Sequence, residues 1–373
     1  MHSAVLYIKD QKELELSKIR LFDKPLINYT VDTIKKLNVD DIYLVGDINI
    51  DGLLKRNHLE EVFGELKYSE GKCLLLSPFY PLLEKEDYER LLNVDNNAVF
   101  VDEDKEVLPI FAISNALLSS YDKLSYDGIK IDRDKQKRLD ELKDIPYFYE
   151  SIKERNNNKW MNKGVIIVDP KTTMIGVDAY IGKGTYINPN TTIGGKSFIG
   201  SNNIINQSNL ENVVMGDNNN IDSAKISNSS IFSNCQIGSE TIIDNCDIQD
   251  EVNIASFVRI SNTKVDRKTT INHLSFISDA IIGENVLIGT GVNTINYDGR
   301  SKHNTVIKSN TTIGSNVNII APIIIGEYAM VSAGSTIDVD VKDGDLAIAR
   351  IFQQNKKAMA TNIIRRIREH GRY

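Results

Sequence analysis

Between residues 175 and 205 isoleucine returns at every sixth position: Ile175, Ile181, Ile187, Ile193, Ile199 and Ile205. The residues between are mostly small or polar, and Gly176, Gly182, Gly194 and Gly200 directly follow four of the six isoleucines. A helix needs apolar positions every three or four residues, and a half-buried strand needs them every two. A beat of six serves neither as one continuous element. It suits a short strand and a tight turn, repeated, with three such units closing a triangular coil of about 18 residues. Successive coils then pair as parallel strands about 4.8 Å apart. Each isoleucine points inward onto its equivalent in the next coil, and the glycine or asparagine after it is expected to supply the turn's special backbone angles. A β-sandwich is the competing architecture, but alternating strands do not produce sixes.

The beat continues through Met215 and Ile221, then Ile231, Ile237 and Ile243, then Ile248, Ile254 and Ile260. It resumes at Ile271 and Ile277, at Ile282 and Ile288, and from Ile307 through Ile313, Ile319, Ile325, Val331 and Ile337. Slips of phase between these trains mark corners that carry loops. The pattern predicts a coil domain over 164–350, of about ten coils.

The chain before it has a different texture. Apolar runs at 4–8, 42–45, 74–76 and 98–101 predict strands, and 26–37 predicts a helix with Ile27, Val31, Ile34 and Leu37 on one face. Strands alternating with a helix indicate an α/β domain with a mostly parallel sheet, assigned to 1–145. The charge-dense stretch 132–159 carries Leu139, Leu142, Ile145, Phe148 and Ile152 at helical spacing and predicts a linking helix, placed at 146–163. Asn156, Asn157 and Asn158 are expected to turn the chain into the coils, with the lysines and glutamates around them solvated. The last segment, 351–373, is expected to be a basic helical tail bearing Lys356, Lys357, Arg365, Arg366, Arg368 and Arg372.

Composition narrows the function. A chain of 373 residues suits two domains. A formal charge of −7 argues against nucleic acid or an anionic membrane as the main partner. No apolar run is long enough to span a bilayer, and 1–8 does not read as a signal peptide. Cys73, Cys235 and Cys246 lack metal-ligand spacing and read as reduced thiols of a cytoplasmic protein; no metal is expected.

The order of pieces in 1–145 resembles a sugar-1-phosphate nucleotidyltransferase: Ala4-Val5-Leu6, then Lys24-Pro25-Leu26-Ile27, Pro81-Leu82-Leu83 and Pro109-Ile110-Phe111-Ala112. Two departures stand out. The family's first strand runs into a glycine-rich phosphate loop, whereas Ile8-Lys9-Asp10-Gln11-Lys12 follows here and the first glycine is Gly46. Where the family places a magnesium-binding aspartate stands Phe79, which cannot ligate a hard cation. The segment is also short for that family. The expectation is a degenerate domain without nucleotidyl transfer, serving either as a binding or assembly module or as a stabilising cap.

From 165 on, the chain resembles the C-terminal domain of bacterial bifunctional N-acetylglucosamine-1-phosphate uridyltransferase / glucosamine-1-phosphate N-acetyltransferase. The phrases that carry the resemblance are Asn272-His273-Leu274 with Asp279-Ala280, Asn296-Tyr297-Asp298-Gly299, Ile313-Gly314-Ser315, Ala333-Gly334-Ser335 and Ala347-Ile348-Ala349-Arg350. The resemblance implies that the coils form a left-handed parallel β-helix, that the protein is a homotrimer, and that acetyl-CoA is its co-substrate. It implies that His273 is the general base, which histidine chemistry near neutral pH allows. The alternative is a structural histidine at a coil corner. It places acetyl-CoA contacts at Ser315, at the backbone of Ala333 and at Arg350. Asn296 and Tyr297 match residues lining the sugar and acetyl group, and Lys302 matches a lysine that holds the acceptor. Residues 298–305 interrupt the beat and are expected to project as a loop.

The acceptor side departs from the family. Positions expected to carry a phosphate-anchoring arginine and lysine fall at about Ile243 and at Ser261, a tyrosine position holds Phe276, and an asparagine position holds Leu287. Arg259 is the nearby cation that could substitute. A phosphate without its cations is poorly held. Three readings follow: an N-acetyltransferase with a different amine acceptor on an amino sugar or sugar nucleotide, a non-catalytic scaffold or regulatory subunit, or a glucosamine-1-phosphate N-acetyltransferase using Arg259.

Overall fold

The strand Ser3–Tyr7 lies inside a seven-stranded sheet, between Asp41–Val45 and Lys72–Leu76, and is parallel to both. The computed structural model describes residues 2–22, 24–351 and 353–370. The chain divides into two compact units, 1–213 and 214–373.

In the first unit, alternation along Ser3–Tyr7 sorts the core into two layers. Ala4 and Leu6 face the helices Leu26–Ile34 and Lys85–Leu92, where Ile27, Val31, Tyr88 and Leu91 are buried. Val5 faces the helix Leu59–Leu66 through Val62, Phe63 and Leu66. A sheet covered on both faces explains why its strands read as unbroken apolar runs. Val107–Ser114 is antiparallel to both its neighbours, so the sheet is mixed but mostly parallel.

The stretch after the first strand, which lacks the glycines of a phosphate loop, forms no loop. It runs directly into the helix Gln11–Lys18, capped by Asp10, whose carboxylate accepts from the Glu13 N–H at 2.9 Å, while the Lys9 N–H donates to Glu13 at 2.7 Å. The linking helix begins at Ile145 and ends at Met161, and 132–144 forms only short turns. Leu139 belongs to the sheet domain, buried in one cluster with Phe79 and Phe148, while Leu142 is exposed.

The three asparagines are not a turn either; they lie within that helix. Asn156 and Asn157 are buried and donate to Ile175 O at 3.1 Å, and to Pro170 O and Thr173 O at 2.9 and 3.0 Å. Lys153, expected to be solvated, is buried and donates to Lys171 O at 2.8 Å. The physical reason is the end of a coil stack. A first coil has no preceding coil to take its polar backbone, and buried carbonyls need donors. The helix supplies them from side chains.

The coils follow the predicted beat. In the first unit Tyr186–Ile187 pairs in parallel with Ile166–Ile167 and Ile204–Asn206, and Thr192–Gly194 with Met174–Ile175 and Asn209–Glu211. In the second unit three faces form in the same way. One runs through Thr270–Ile271, Leu287–Ile288, Thr312–Ile313, Met330–Val331 and Leu346–Ala347. Another runs through Lys225–Ser227, Ile242–Asp244, Arg259–Ser261 and Phe276–Ser278. The architecture is an α/β domain followed in sequence by a left-handed parallel β-helix. Every residue of the six-residue trains is buried, each contributing roughly 1.5–3 kcal/mol of apolar burial.

The glycines after the isoleucines do a different job from the one expected. The left-handed angles fall two or three residues past the inward position, at Gly184, Asn190, Gly195 and Asn202 in the first unit. Gly182 lacks that angle and is required by proximity: a Cβ there would lie 2.5 Å from the carbonyl carbon and oxygen of Gly200, its equivalent one coil on.

The tail helix spans Met359–His370, and 353–358 is not helical as expected, because Ala358 takes a φ of 58° immediately before it. Arg372 lies outside the described residues. The three cysteines are free and buried; burial pushes the Cys235 and Cys246 thiols up to about 11 and raises that of Cys73 further. Among the described residues no helix is long and apolar enough to cross a membrane.

Candidate active site

One corner of the second unit gathers most of the residues singled out for catalysis and acetyl-CoA. Two positions beyond the inward residues Ile271, Ile288, Ile313, Val331 and Ala347, which are in register, stand His273, Thr290, Ser315, Ala333 and Ala349. Their backbones are linked rung by rung. Gly291 N–H donates to His273 O at 2.9 Å, Asn316 N–H to Thr290 O at 2.7 Å, and Gly334 N–H to Ser315 O at 2.9 Å. At about 4.8 Å per coil this edge runs roughly 19 Å from His273 to Ala349. Arg350 is the next residue, exposed at the end of the edge. Ala349 is fixed there by its N–H on Ser335 Oγ at 3.1 Å. The His273 side chain is exposed and makes no hydrogen bond among the described residues. Thr290, which the sequence reading passed over, stands between His273 and Ser315 on this edge; its place in the beat was the available signal.

The corner imposes a left-handed backbone one residue further on, at Leu274 (φ 59°), Gly291 (73°), Asn316 (56°) and Gly334 (73°). The strain at Leu274 is therefore a property of the coil. Leucine is an unfavourable occupant where glycine or asparagine is the usual one.

The second cluster lies at the other end of the face that carries Phe276–Ser278 and Asn293–Ile295. Here Asp279 collects donors: Asn296 Nδ2, Ser278 Oγ at 2.9 Å and Asn262 Nδ2 at 3.2 Å, with Lys302 Nζ at 4.0 Å. Burial works against its charge, but the Asn296, Ser278 and Asn262 hydrogen bonds and Lys302 together hold its carboxyl below the usual range. Asp279 was not among the expected site residues, although it closes the phrase that begins with His273.

The excursion 296–304 closes on itself. His303 N–H donates to Asn296 O at 2.7 Å, and Tyr297 and Lys302 form an isolated antiparallel bridge. Asp298 accepts from the N–H groups of Ser301 and Arg300 at 2.8 and 2.7 Å and pairs with His303 Nε2 at 2.7 Å. The Ser301 N–H, then the His303 side chain, then the Arg300 N–H hold the Asp298 carboxyl well below the ordinary range. Ser301, His303 and Asp298 are not a nucleophilic triad, because Ser301 Oγ, at 3.2 Å, and Asp298 meet the same ring nitrogen. Tyr297 and Lys302 are exposed at the loop surface.

The expected residues thus form two groups. His273, Ser315, Ala333 and Arg350 occupy one edge; Asn296, Tyr297 and Lys302 occupy the other. The extended chain from 274 to 279 separates the edges by roughly 15 Å. Arg259 lies on the face between them, exposed, in register with Phe276 one coil away. Ile243 is fully buried and Ser261 Oγ meets Ser278 Oγ at 2.9 Å, so neither offers a cation to an acceptor.

In the first unit Phe79 is fully buried, with the Arg138 guanidinium 5.2 Å from its ring centre. Arg138 is paired with Glu13, in the first turn of the helix after the first strand. Among the described residues no three histidine, cysteine, aspartate or glutamate side chains cluster in a way that could hold a metal.

The hexapeptide family described as bacterial transferase hexapeptide (six repeats) matches residues 304–338, the segment that carries Ser315 and Ala333. The bifunctional protein GlmU of Shouchella clausii (strain KSM-K16) is 40% identical over 208 residues, 55% of this chain and 46% of its own. GlmU of Caldicellulosiruptor saccharolyticus is 45% identical over 210 residues, 56% of this chain and 45% of its own. This chain resembles GlmU. It spans about half the length of the GlmU relatives it matches. Among solved structures, LpxA from Acinetobacter baumannii aligns with 56% of this chain and 76% of its own, at 20% identity and a TM-score of 0.26.

Proposed function

We propose that this protein transfers an acetyl group from acetyl-CoA to the amine of an amino sugar or sugar nucleotide. The observation that carries the reading is the single edge on which His273, Thr290, Ser315, Ala333 and Ala349 follow one another coil by coil, with Arg350 at its end. Acetyl-CoA is long and narrow, with a thioester at one end and phosphates at the other. Arg350 suits the phosphates, and His273 stands at the far end of the edge, where the thioester would lie. In the reaction the acceptor nitrogen forms a bond to the thioester carbonyl carbon, the carbon–sulfur bond breaks, and the amine proton passes to His273 and on to the departing thiolate. The developing oxyanion needs a donor, ordinarily a backbone N–H in such sites.

The acceptor contacts Asn296, Tyr297 and Lys302 belong to the other edge of the same chain. That division supports a homotrimer in which one copy's excursion meets another copy's His273 edge. The capped helix after the first strand and the buried Phe79 support a sheet domain without nucleotidyl transfer. A cytoplasmic setting suits buried free thiols.

Two observations favour competing readings. The absence of a cation at Ile243 and Ser261 favours a non-catalytic scaffold or regulatory subunit. The exposed Arg259 beside Phe276 favours retained action on glucosamine 1-phosphate. Calorimetric titration of the intact protein with acetyl-CoA, beside Arg350→Ala, tests the proposal. Saturable binding weakened in the variant supports it. An amine-acceptor screen with His273→Ala as control then identifies the acceptor class. No acetyl-CoA binding by the intact protein overturns it in favour of the scaffold.

A further inference from the structure

The His273 edge changes character at His273 itself. On the Arg350 side the left-handed corner position is filled by Gly291, Asn316 and Gly334, residue types that accept it with least strain. Beside His273 and one coil before it, the same position holds Leu274 and Phe257, both with a φ of 59°. They stand three residues beyond Ile271 and Ile254, which are in register, so they lie about 4.8 Å apart along the stack. Neither is covered: Leu274 is 63% exposed and Phe257 59%.

The adjoining face extends this surface. Its outward row runs Ile242, Arg259 and Phe276, in register and all exposed. Arg259 and Phe276 come two residues after Phe257 and Leu274, roughly 6.6 Å along the chain. Leu274, Phe257, Phe276 and Ile242 therefore form one apolar patch with Arg259 set into it. Glu240, in the same corner one coil before Phe257, bounds the patch. Exposed apolar side chains are ordinary singly, but contiguous ones mark contact sites. Left-handed strain on two bulky residues in succession is also of the kind that concentrates where a ligand is held.

The position of the patch points to its occupant. With acetyl-CoA along the edge from His273 to Arg350, the body of the acceptor beyond its amine extends to the other side of His273, over Leu274, Phe257 and Phe276. A sugar bearing only hydroxyls and a phosphate would leave these side chains in contact with water, whereas an apolar substituent gains by covering them. We infer that the acceptor is an amino sugar whose anomeric substituent is apolar, and that Phe257, Leu274 and Phe276 bind that substituent. The inference rests on the acetyl-transfer reading for the amine and adds the substituent to it. A saturated and an aromatic group share this chemistry, and the test separates them.

The experiment is calorimetric titration of the full chain, with CoA present, against methyl, cyclohexyl and phenyl glucosaminides. The two ring glycosides are expected to bind about tenfold tighter than the methyl glycoside, and the tighter of them marks the substituent as saturated or aromatic. Phe257→Asn places a residue that tolerates the left-handed angle at that corner. It is expected to weaken the ring glycosides about tenfold and the methyl glycoside less than about twofold. Phe232→Asn, at an exposed phenylalanine on another face, is the control and is expected to change none of them. Equal binding of the three glycosides, no saturable binding, or a ring preference that survives both Phe257→Asn and Leu274→Asn would overturn the inference. So would a smaller assembly for Phe257→Asn in sedimentation, which would assign the patch to a second copy. Failure of the acetyl-transfer reading shows separately, as no acetyl-CoA binding; a ring preference found without it would support the apolar subsite and refute the transfer.

Discussion

Asp279→Asn isolates what holds the 296–304 excursion in place. The carboxylate accepts from Asn296, Ser278 and Asn262 and lies 4.0 Å from Lys302. Hydrogen bonds to a charged group are worth about 1.5–3 kcal/mol, against about 0.5–1.5 for neutral pairs. Asparagine keeps one acceptor oxygen and turns an NH₂ group toward donors. The Asp279 side chain is only 14% exposed, so solvent recovers little of the loss. Lys302 is 63% exposed, and its share is at most about 1 kcal/mol. The expected cost to the closed loop is about 2 kcal/mol, or roughly a 30-fold rise in its opening. Hydrogen exchange followed by mass spectrometry reads this directly, through the His303 N–H on Asn296 O and the Arg300 and Ser301 N–H groups on Asp298. The helix Leu26–Ile34 is the internal control. Exchange of the loop within about twofold of the parent protein would refute the reasoning. So would an equal rise in Lys302→Ala alone, which would make the exposed ion pair the anchor.

Gly314→Ala places a Cβ 2.4 Å from the Ala333 nitrogen and is expected to break the edge that carries Ser315, seen as lost acetyl-CoA binding and early melting of the coils by circular dichroism. Leu274→Gly relieves a left-handed leucine and is expected to raise the melting temperature, by a free energy of about 1 kcal/mol; a fall would mean that the exposed leucine packs against another copy. Asp298 is held below its ordinary range, so its contribution to loop order is present above about pH 4 and lost as pH falls through the lower folded value. Loop exchange corrected for intrinsic rate is expected to be flat from neutral pH to about pH 4 and to rise below it. Arg259→Ala is expected to raise KM for an anionic acceptor with kcat unchanged and to leave a neutral acceptor unaffected; equal effects on both would remove Arg259 from the acceptor site.

The coil was legible because its period is a packing rule. Every inward residue from Ile175 to Ile337 is buried where the sixes put it. The glycine roles were not legible, because a positive φ and a close approach to the next coil both select glycine. Only the structure separates Gly184, which has the angle, from Gly182, which has the neighbour. The asparagine turn failed for a related reason. Asn156 and Asn157 look like turn formers by type, but their buried amides cover carbonyls of the first coil. A local signal could not reveal that demand, because its acceptors lie 13 to 19 residues further along the chain.

The same distinction governs the acceptor side. Residues that face outward on a coil alternate with residues that face in, so a one-residue offset moves a candidate from the groove to the core. Ile243 faces in and can anchor nothing. The outward residues of that face run Lys225, Ile242, Arg259, Phe276, in register. Arg259 is one coil from Phe276, about 4.8 Å, and Lys225 three coils, about 14 Å. An anionic group seated beside Phe276 is within reach of Arg259 and beyond that of Lys225. The lost cations at Ile243 and Ser261 therefore leave Arg259 as the cation of this outward row beside Phe276, with the exposed Lys302 on the adjoining edge. Two separate, exposed cations suit a singly charged or diffuse anionic group better than a compact phosphate dianion, which is the physical ground for placing a different amine ahead of glucosamine 1-phosphate.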